Sequence, residues 1–424
     1  MTATAHESTA HEAIVRPVDW RAPISFIVFA LVGFFAFGLN GPSTDVVFSW
    51  ASKGTPSLLS DITVNARTLG FVIGSLMLVI TALTLWLALT RRKISAWIVV
   101  GFALLFLVGL LGWVGAGGRV PIVYLLTGAI AFSVPVVLGA LAGAMGERAG
   151  VTNIAIEGQL LMGAFTAAFV GTITGNLIIA MFAGMISGSL IGALLAVFSV
   201  KYHVDQIIVG VVVNVLVAGI TSFVHSSMMT RDEQAYNYPG TLPAIRIPLL
   251  SEIPVIGPVL FNQRITTYLM FALVIFVTVL LYKTRTGLRL RAVGEHPLAA
   301  DTVGINVNRT RFWVVTLSGL IAGLGGVALS IGSVGGFIRE MSAGQGYIAL
   351  ACVILGRWNP LAATAAAFLF GFSKQFGVWA AQAGAAIPTD FINMIPYIVT
   401  LIAVGGFVGR SIAPAAINKP YVKS

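Results

Sequence analysis

From residue 24 to residue 408 the chain is a succession of apolar stretches, most of them long enough to cross a hydrocarbon core, separated by polar turns. About 20 apolar residues in a row match the thickness of a bilayer. Inside lipid every backbone N–H and C=O must be bonded internally, which leaves only helices and closed barrels. Continuous apolar runs without two-residue alternation select the helix. The stretches lie near residues 24–40, 69–90, 94–116, 121–145, 154–175, 177–200, 206–230, 265–282, 312–334, 346–356, 360–380 and 391–408. The expected fold class is therefore all-α: a polytopic integral membrane helical bundle of about 10–12 transmembrane helices, with one or two broken or short segments. Residues 346–356 are the short case, since such a helix rises only about 16 Å against a core of about 30 Å.

Composition agrees: 57% of the residues are hydrophobic and 9% charged, too few charges to keep a water-soluble surface. The net charge of +10 is spread over turns between apolar stretches and forms no compact basic footprint, so no nucleic acid is expected as a partner. Strict alternation from a cytoplasmic N-terminus puts 17 of the 25 basic residues inside, as the positive-inside rule requires, and makes residues 230–264 an external loop. The first apolar stretch is too long for a signal-peptide core and no cleavage site follows it. Cys352, the single cysteine, lies in an apolar run and is expected reduced and buried.

Missing motifs narrow the chemistry. The chain has no G-x-x-x-x-G-K-[ST], so it cannot cradle ATP phosphates by a P-loop, and it has no H-E-x-x-H. No His–Ser pairing stands out in the spans. Neither an enzyme activity, a cofactor nor a metal is expected.

Polar residues inside spans are the candidate path. An acid at a helix centre costs roughly 2.5 to 3.5 kcal/mol, so Glu157 ranks first, either on a transport path or as an interfacial carboxylate paired with Arg148. Asn153, Gln159 and Asn214 could bind hydroxyls or base edges, or could join helices by hydrogen bonds. Residues 150–161 and 344–355 share a loose Gly-interrupted pattern starting from opposite faces, the pointer to a midplane site in transporters. Lys374 either faces a cavity or snorkels to the external surface. Glycines 184, 188, 192 and 319, 323, 326 recur at helical spacing and are expected as packing faces.

The polar island at residues 283–311, KTRTGLRLRAVGEHPLAADTVGINVNRTR, holds six basic residues and belongs on the cytoplasmic side. Its middle reads as a two-turn helix: Pro297 suits the first helical position, and Gly304 can close the helix in the left-handed conformation. Residues 287–311 resemble the coupling segment of ABC-importer permeases of the branched-chain amino acid, simple-sugar and nucleoside group. GERAGVTNIAIEGQLLMGAF and DQIIVGVVVNVLVAGITSF resemble the nucleoside-type members most closely.

That resemblance implies a permease subunit of an ATP-binding cassette importer, in the bacterial inner membrane with both termini cytoplasmic. Its implied partners are a separate ATPase subunit, a second permease chain (the same or a different protein), an external solute-binding protein and membrane lipid. Gly294, Glu295, Pro297, Ala299, Ala300, Asp301 and Gly304 would couple it to the ATPase, the small Ala299 and Ala300 letting the short helix seat in a groove of the partner. Nucleoside is the first substrate expected, then simple sugar, then branched-chain amino acid. The resemblance divides the chain into a cytoplasmic tail (1–23), poorly covered N-terminal helices (24–116), a permease core (117–410) and a cytoplasmic tail (411–424). The alternative is an ion-coupled secondary transporter, which commonly keeps acidic groups near midplane, where only Glu157 qualifies.

Overall fold

The computed structural model describes residues 20–51, 59–384, 394 and 412–422. Among them, nine helices are long and apolar enough to cross a membrane, and two more, Pro23–Leu39 and Gln345–Leu355, are shorter. Eleven of the expected apolar segments are thus helices; the one expected at 391–408 and the tail before residue 20 lie outside the described residues. The chain divides into two compact units, residues 1–48 with 62–120, and residues 49–61 with 121–424.

The first unit contains α1 (Arg21–Val32), which widens into a π-helical continuation, Gly33–Leu39. A small antiparallel sheet follows, built from β1 (Asp45–Ser49), β2 (Ile62–Asn65) and β3 (Arg119–Pro121) in the order β2-β1-β3. Helices α2 (Ala66–Leu89) and α3 (Ala96–Val114) complete it. Each begins where a polar side chain accepts an orphan backbone N–H: Asn65 from Thr68, and Ser95 from Trp97. The core is Phe26, Ala30, Ile73, Met77 and Phe102, with the Phe26 and Phe102 rings stacked 3.9 Å apart. A Cβ on Gly74 would lie 2.6 Å from the Phe34 Cα, so only glycine lets α2 approach this closely.

The second unit starts with α4 (Ile122–Arg148), α5 (Ile156–Thr174), α6 (Leu177–Ala196) and α7 (Gln206–Val224). Residues 230–264 then form only short pieces: α8 (Glu233–Tyr236), α9 (Ile256–Leu260) and a strand pair, β4 (Ala244–Arg246) with β5 (Asn262–Arg264). Next come α10 (Ile265–Lys283), α11 (Arg285–Glu295), α12 (Pro297–Thr302), α13 (Val307–Leu329), α14 (Gln345–Leu355) and α15 (Pro360–Gln382). Asn176, Asp205, Asn306 and Asn359 cap the starts of α6, α7, α13 and α15, which is why those helices begin there.

The expected glycine faces do pack: a Cβ on Gly188 of α6 would sit 2.5 Å from the Gly319 carbonyl oxygen of α13. Lipid tails are as apolar as the helices, so close backbone approach supplies much of the association here. The central helix α13 is thereby held between α6, α5 and α4.

Candidate functional site

Two helices of the second unit begin inside the bundle instead of at its surface, and each has its start capped by a neighbour. Chain leaving α4 turns at Gly150, φ +86°, and runs through residues 151–153 without regular structure before α5 begins. Ala155, at the cap position of α5, offers no side-chain acceptor. Asn214 of α7 replaces it: its Oδ1 accepts the Gly158 N–H at 2.8 Å, and its Nδ2 donates to the Ile154 carbonyl at 2.9 Å. The Gln206 side chain accepts the Thr152 N–H at 2.7 Å. Irregular backbone at this depth survives because polar side chains answer it.

Helix α14 repeats the arrangement. Gly344, φ +78°, precedes it and has no side chain to cap with. The Glu157 carboxylate of α5 takes that role, accepting the Gly344 N–H at Oε1 (2.8 Å) and the Gly346 N–H at Oε2 (2.6 Å). Negative charge at a helix N-terminus is also favoured by the helix dipole. A Cβ on Gly346 would come within 2.6 Å of the Glu157 Cα, so the approach needs glycine. Tyr347 on α14 closes the knot, its hydroxyl accepting from Asn214 Nδ2 at 3.1 Å. Caps therefore run from α7 to α5 and from α5 to α14, joining the two Gly-interrupted stretches expected to be related.

The expected path residues meet here with different exposures. Asn153 and Gln159 are fully buried and bond each other reciprocally, at 3.2 and 3.3 Å, so neither amide faces an open space. Asn214 is 7% exposed, while Glu157 is half-buried with one N–H on each oxygen, leaving lone pairs for further donors. Pairing of Glu157 with Arg148 does not occur. The Arg148 guanidinium instead donates to the carbonyls of Trp358 and Arg357 and lies 3.9 Å from Glu295. Lys374 places its ammonium 5.2 Å from the centre of the Phe132 ring. Tyr347 was not legible as a site residue, since its role depends on α7 lying beside it.

Residues 283–311 build a second site. The helix starting at Pro297 and the left-handed Gly304, φ +85°, are as expected, with the His296 ring accepting the Ala299 N–H as cap. Helix α11 was not expected. Ala300, expected to let the helix seat in a partner's groove, is 3% exposed and packs inward with Val293, Val307 and Tyr421. Gly294 is likewise unavailable to a partner, being buried against the backbone of Arg148 and Gly150. What α12 and its end present are Leu298, 57% exposed, and Val303, 75% exposed, beside the exposed Ala299.

Residues 412–422 hold this platform from beneath. The Ala416 N–H donates to the Gly294 carbonyl at 2.9 Å, and Glu295 accepts the Ala415 N–H at 3.2 Å. Arg311, 1% exposed, donates to three carbonyls: Ala149 (3.1 Å), Lys419 (2.7 Å) and Ala416 (3.4 Å). One side chain thus ties the start of α13 to the turn before α5 and to the C-terminal segment.

Residues 125–404 match the family described as "Branched-chain amino acid transport system / permease component". The guanosine ABC transporter permease protein NupQ of Bacillus subtilis (strain 168) is 36% identical over 304 residues, 69% of this chain and 95% of the relative. The nucleoside ABC transporter permease protein NupC of Lactococcus lactis subsp. cremoris (strain MG1363) is 35% identical over 304 residues, with the same coverage. The glucose ABC transporter permease protein TsgB13 of Haloferax volcanii is 25% identical over 289 residues, 65% of this chain and 75% of the relative. No solved structure matches the chain significantly.

Proposed function

The chain belongs to the family of branched-chain amino acid transport system permease components, and on that premise we propose that it forms the membrane path for a nucleoside in an ATP-driven importer. One observation carries the reading: a two-turn helix presents Leu298 and Val303 outward while everything behind it is fastened to the bundle. Exposed apolar groups on a fixed polar platform are what a partner ATPase can grip.

Motion applied there has a continuous route to the path. Helix α12 packs through Ala300 on Val293 and Val307, and Gly294 sits against the Arg148–Gly150 backbone. Arg311 holds the Ala149 carbonyl, and the next residues are the irregular stretch that opens α5. Shifting that stretch moves Glu157 and with it the start of α14. The caps, each worth about 1 kcal/mol, are weak enough to exchange during a transport cycle and numerous enough to hold one state at rest.

Nucleoside is the substrate class favoured by the names of NupQ and NupC, with simple sugar second on the name of TsgB13. The remaining parts of the machine are an ATPase subunit below, a second permease chain, and a binding protein delivering to residues 230–264. The protein then lies in the bacterial inner membrane with both termini cytoplasmic. Nothing in the relatives favours an ion-coupled carrier, since their names are those of ABC transporter permeases.

The test is co-purification. Leu298→Glu with Val303→Glu should leave the protein in the membrane at its usual level and abolish capture of a co-expressed ATPase subunit. Retained capture and normal uptake would remove the coupling role.

A further inference from the structure

Four residues of α5, Glu157, Leu161, Phe165 and Phe169, follow at four-residue spacing and so line one face of the helix. The Phe165 and Phe169 rings lie nearly parallel, 11° apart with centroids at 5.9 Å, close to the ~6 Å rise of four helical residues. Tyr236 of α8 continues the series at 6.0 Å and 10°. Three rings from two separate elements therefore share one orientation, and all three are half-buried, keeping part of their surface open.

A buried wall fixes that orientation. Phe337, 1% exposed, stands edge-on to Phe165 at 5.4 Å and 86°. Its N–H donates to Asn237 Oδ1 at 2.7 Å and its carbonyl accepts from Asn237 Nδ2 at 2.9 Å. Asn237 is the residue after Tyr236, so one short segment both carries the outermost ring and locks the wall behind the innermost. Phe26 and Phe102 are also parallel, at 7°, but form a single contact inside the core of the first unit, whereas pairs such as Phe312 with Trp313 at 89° and Phe37 with Trp113 at 34° meet edge-on or tilted. A common orientation held across two elements is what a flat ligand passing over them would use.

We propose that Tyr236, Phe169 and Phe165 are an aromatic runway for the base of the nucleoside, leading along α5 to the Glu157 carboxylate. This rests on the nucleoside reading given above. Every nucleobase has a π-face that attracts the edge of an aromatic ring. A base between two of these rings would need about 7 Å, twice a carbon–carbon contact distance, so it travels on their open side with its π-face against the ring edges. The base keeps its orientation from ring to ring. Glu157 lies two turns, roughly 12 Å, beyond Phe165. Its oxygens have lone pairs beyond those bonded to Gly344 and Gly346, and the base-edge N–H groups of a purine such as guanine are matching donors.

The experiment measures uptake of radiolabelled guanosine and uridine by cells carrying the full importer. Phe165→Met and Phe169→Met keep volume and remove the aromatic ring edge; Tyr236→Leu does so outside the membrane spans, where bundle packing is not at risk. Guanosine uptake should fall by about tenfold through a raised KM, uridine, with its smaller ring, should fall less, and Phe169→Tyr should restore the guanosine KM. An equal loss for both nucleosides, or unchanged guanosine KM in all three variants, would overturn the runway while leaving nucleoside import intact. Wild-type cells that take up glucose and neither nucleoside would remove the substrate reading, and the runway with it.

Discussion

Glu157 and Gly346 stand 189 residues apart in the chain, yet the Glu157 Oε2 accepts the Gly346 N–H at 2.6 Å. That bond, with its partner to Gly344, gives an acid inside the bundle a structural task and makes the start of α14 dependent on α5. A carboxylate can accept both backbone amides at once, one on each oxygen, at the start of a helix. Replacing it by Gln removes the charge and one acceptor oxygen. Glu157→Gln should cost about 1 kcal/mol locally, leave the membrane level of the protein normal and reduce uptake. Immunoblot and uptake assay check it; a lost protein with uptake per molecule unchanged would assign Glu157 to folding alone.

Asn214 should behave differently from Asn153. Asn214→Ala strands the Gly158 N–H and the Ile154 carbonyl inside the bundle, a loss of about 1–3 kcal/mol. Its effect should be non-additive with Glu157→Gln, because both act on the start of α5 and α14. Asn153→Ala breaks a side-chain pair with Gln159 and no backbone cap. Thermal unfolding in detergent of the two single variants and of Asn214→Ala with Glu157→Gln gives the comparison.

Arg311 is the joint of the platform. Arg311→Met leaves three carbonyls, those of Ala149 and Ala416 buried, without their donor and should destabilise the protein by about 3 kcal/mol or more. Arg311→Lys keeps the charge but cannot reach three acceptors in the fork geometry of guanidinium, so its melting temperature should fall between the two. Protease cleavage within residues 412–422 should accelerate in the same order.

The apolar stretches and the glycine faces were legible, because each depends on a run of neighbours in sequence or on helical spacing. So were Pro297 and the left-handed Gly304. The inward packing of Ala300 was not legible, because a small residue suits an internal contact as well as an external one. Tyr421, which covers it, comes from the far end of the chain. Glu157 was singled out correctly as unusual, but its partners are glycine amides, which carry no side-chain signal. Helix α11 was hidden by its two glycines and three arginines, which mask the buried Leu290 and Val293.

Topology is open to a labelling test. Cys352 is fully buried, so it gives little background. With residues 230–264 external and 283–311 cytoplasmic, Glu252→Cys should react with a membrane-impermeant maleimide in intact cells and Arg289→Cys only after permeabilisation. The reverse pattern would invert the orientation.

Ala300→Trp and Leu298→Glu separate packing from coupling. A Trp in place of buried Ala300 must push apart Val293, Val307 and Tyr421, an overpacking cost of about 1–3 kcal/mol, and should lower the amount of folded protein. Leu298→Glu changes an exposed side chain and should leave folding untouched while ATPase capture is lost. Size-exclusion profile and pull-down on the same preparations read both.

Uptake of guanosine into proteoliposomes holding this chain with its ATPase, partner permease and binding protein decides between an ATP-driven importer and an ion-coupled carrier. Transport should require ATP, persist when proton and sodium gradients are collapsed, and vanish with Leu298→Glu paired with Val303→Glu. Guanosine accumulation driven by an imposed ion gradient in vesicles without ATP, and untouched by that double substitution, would contradict it.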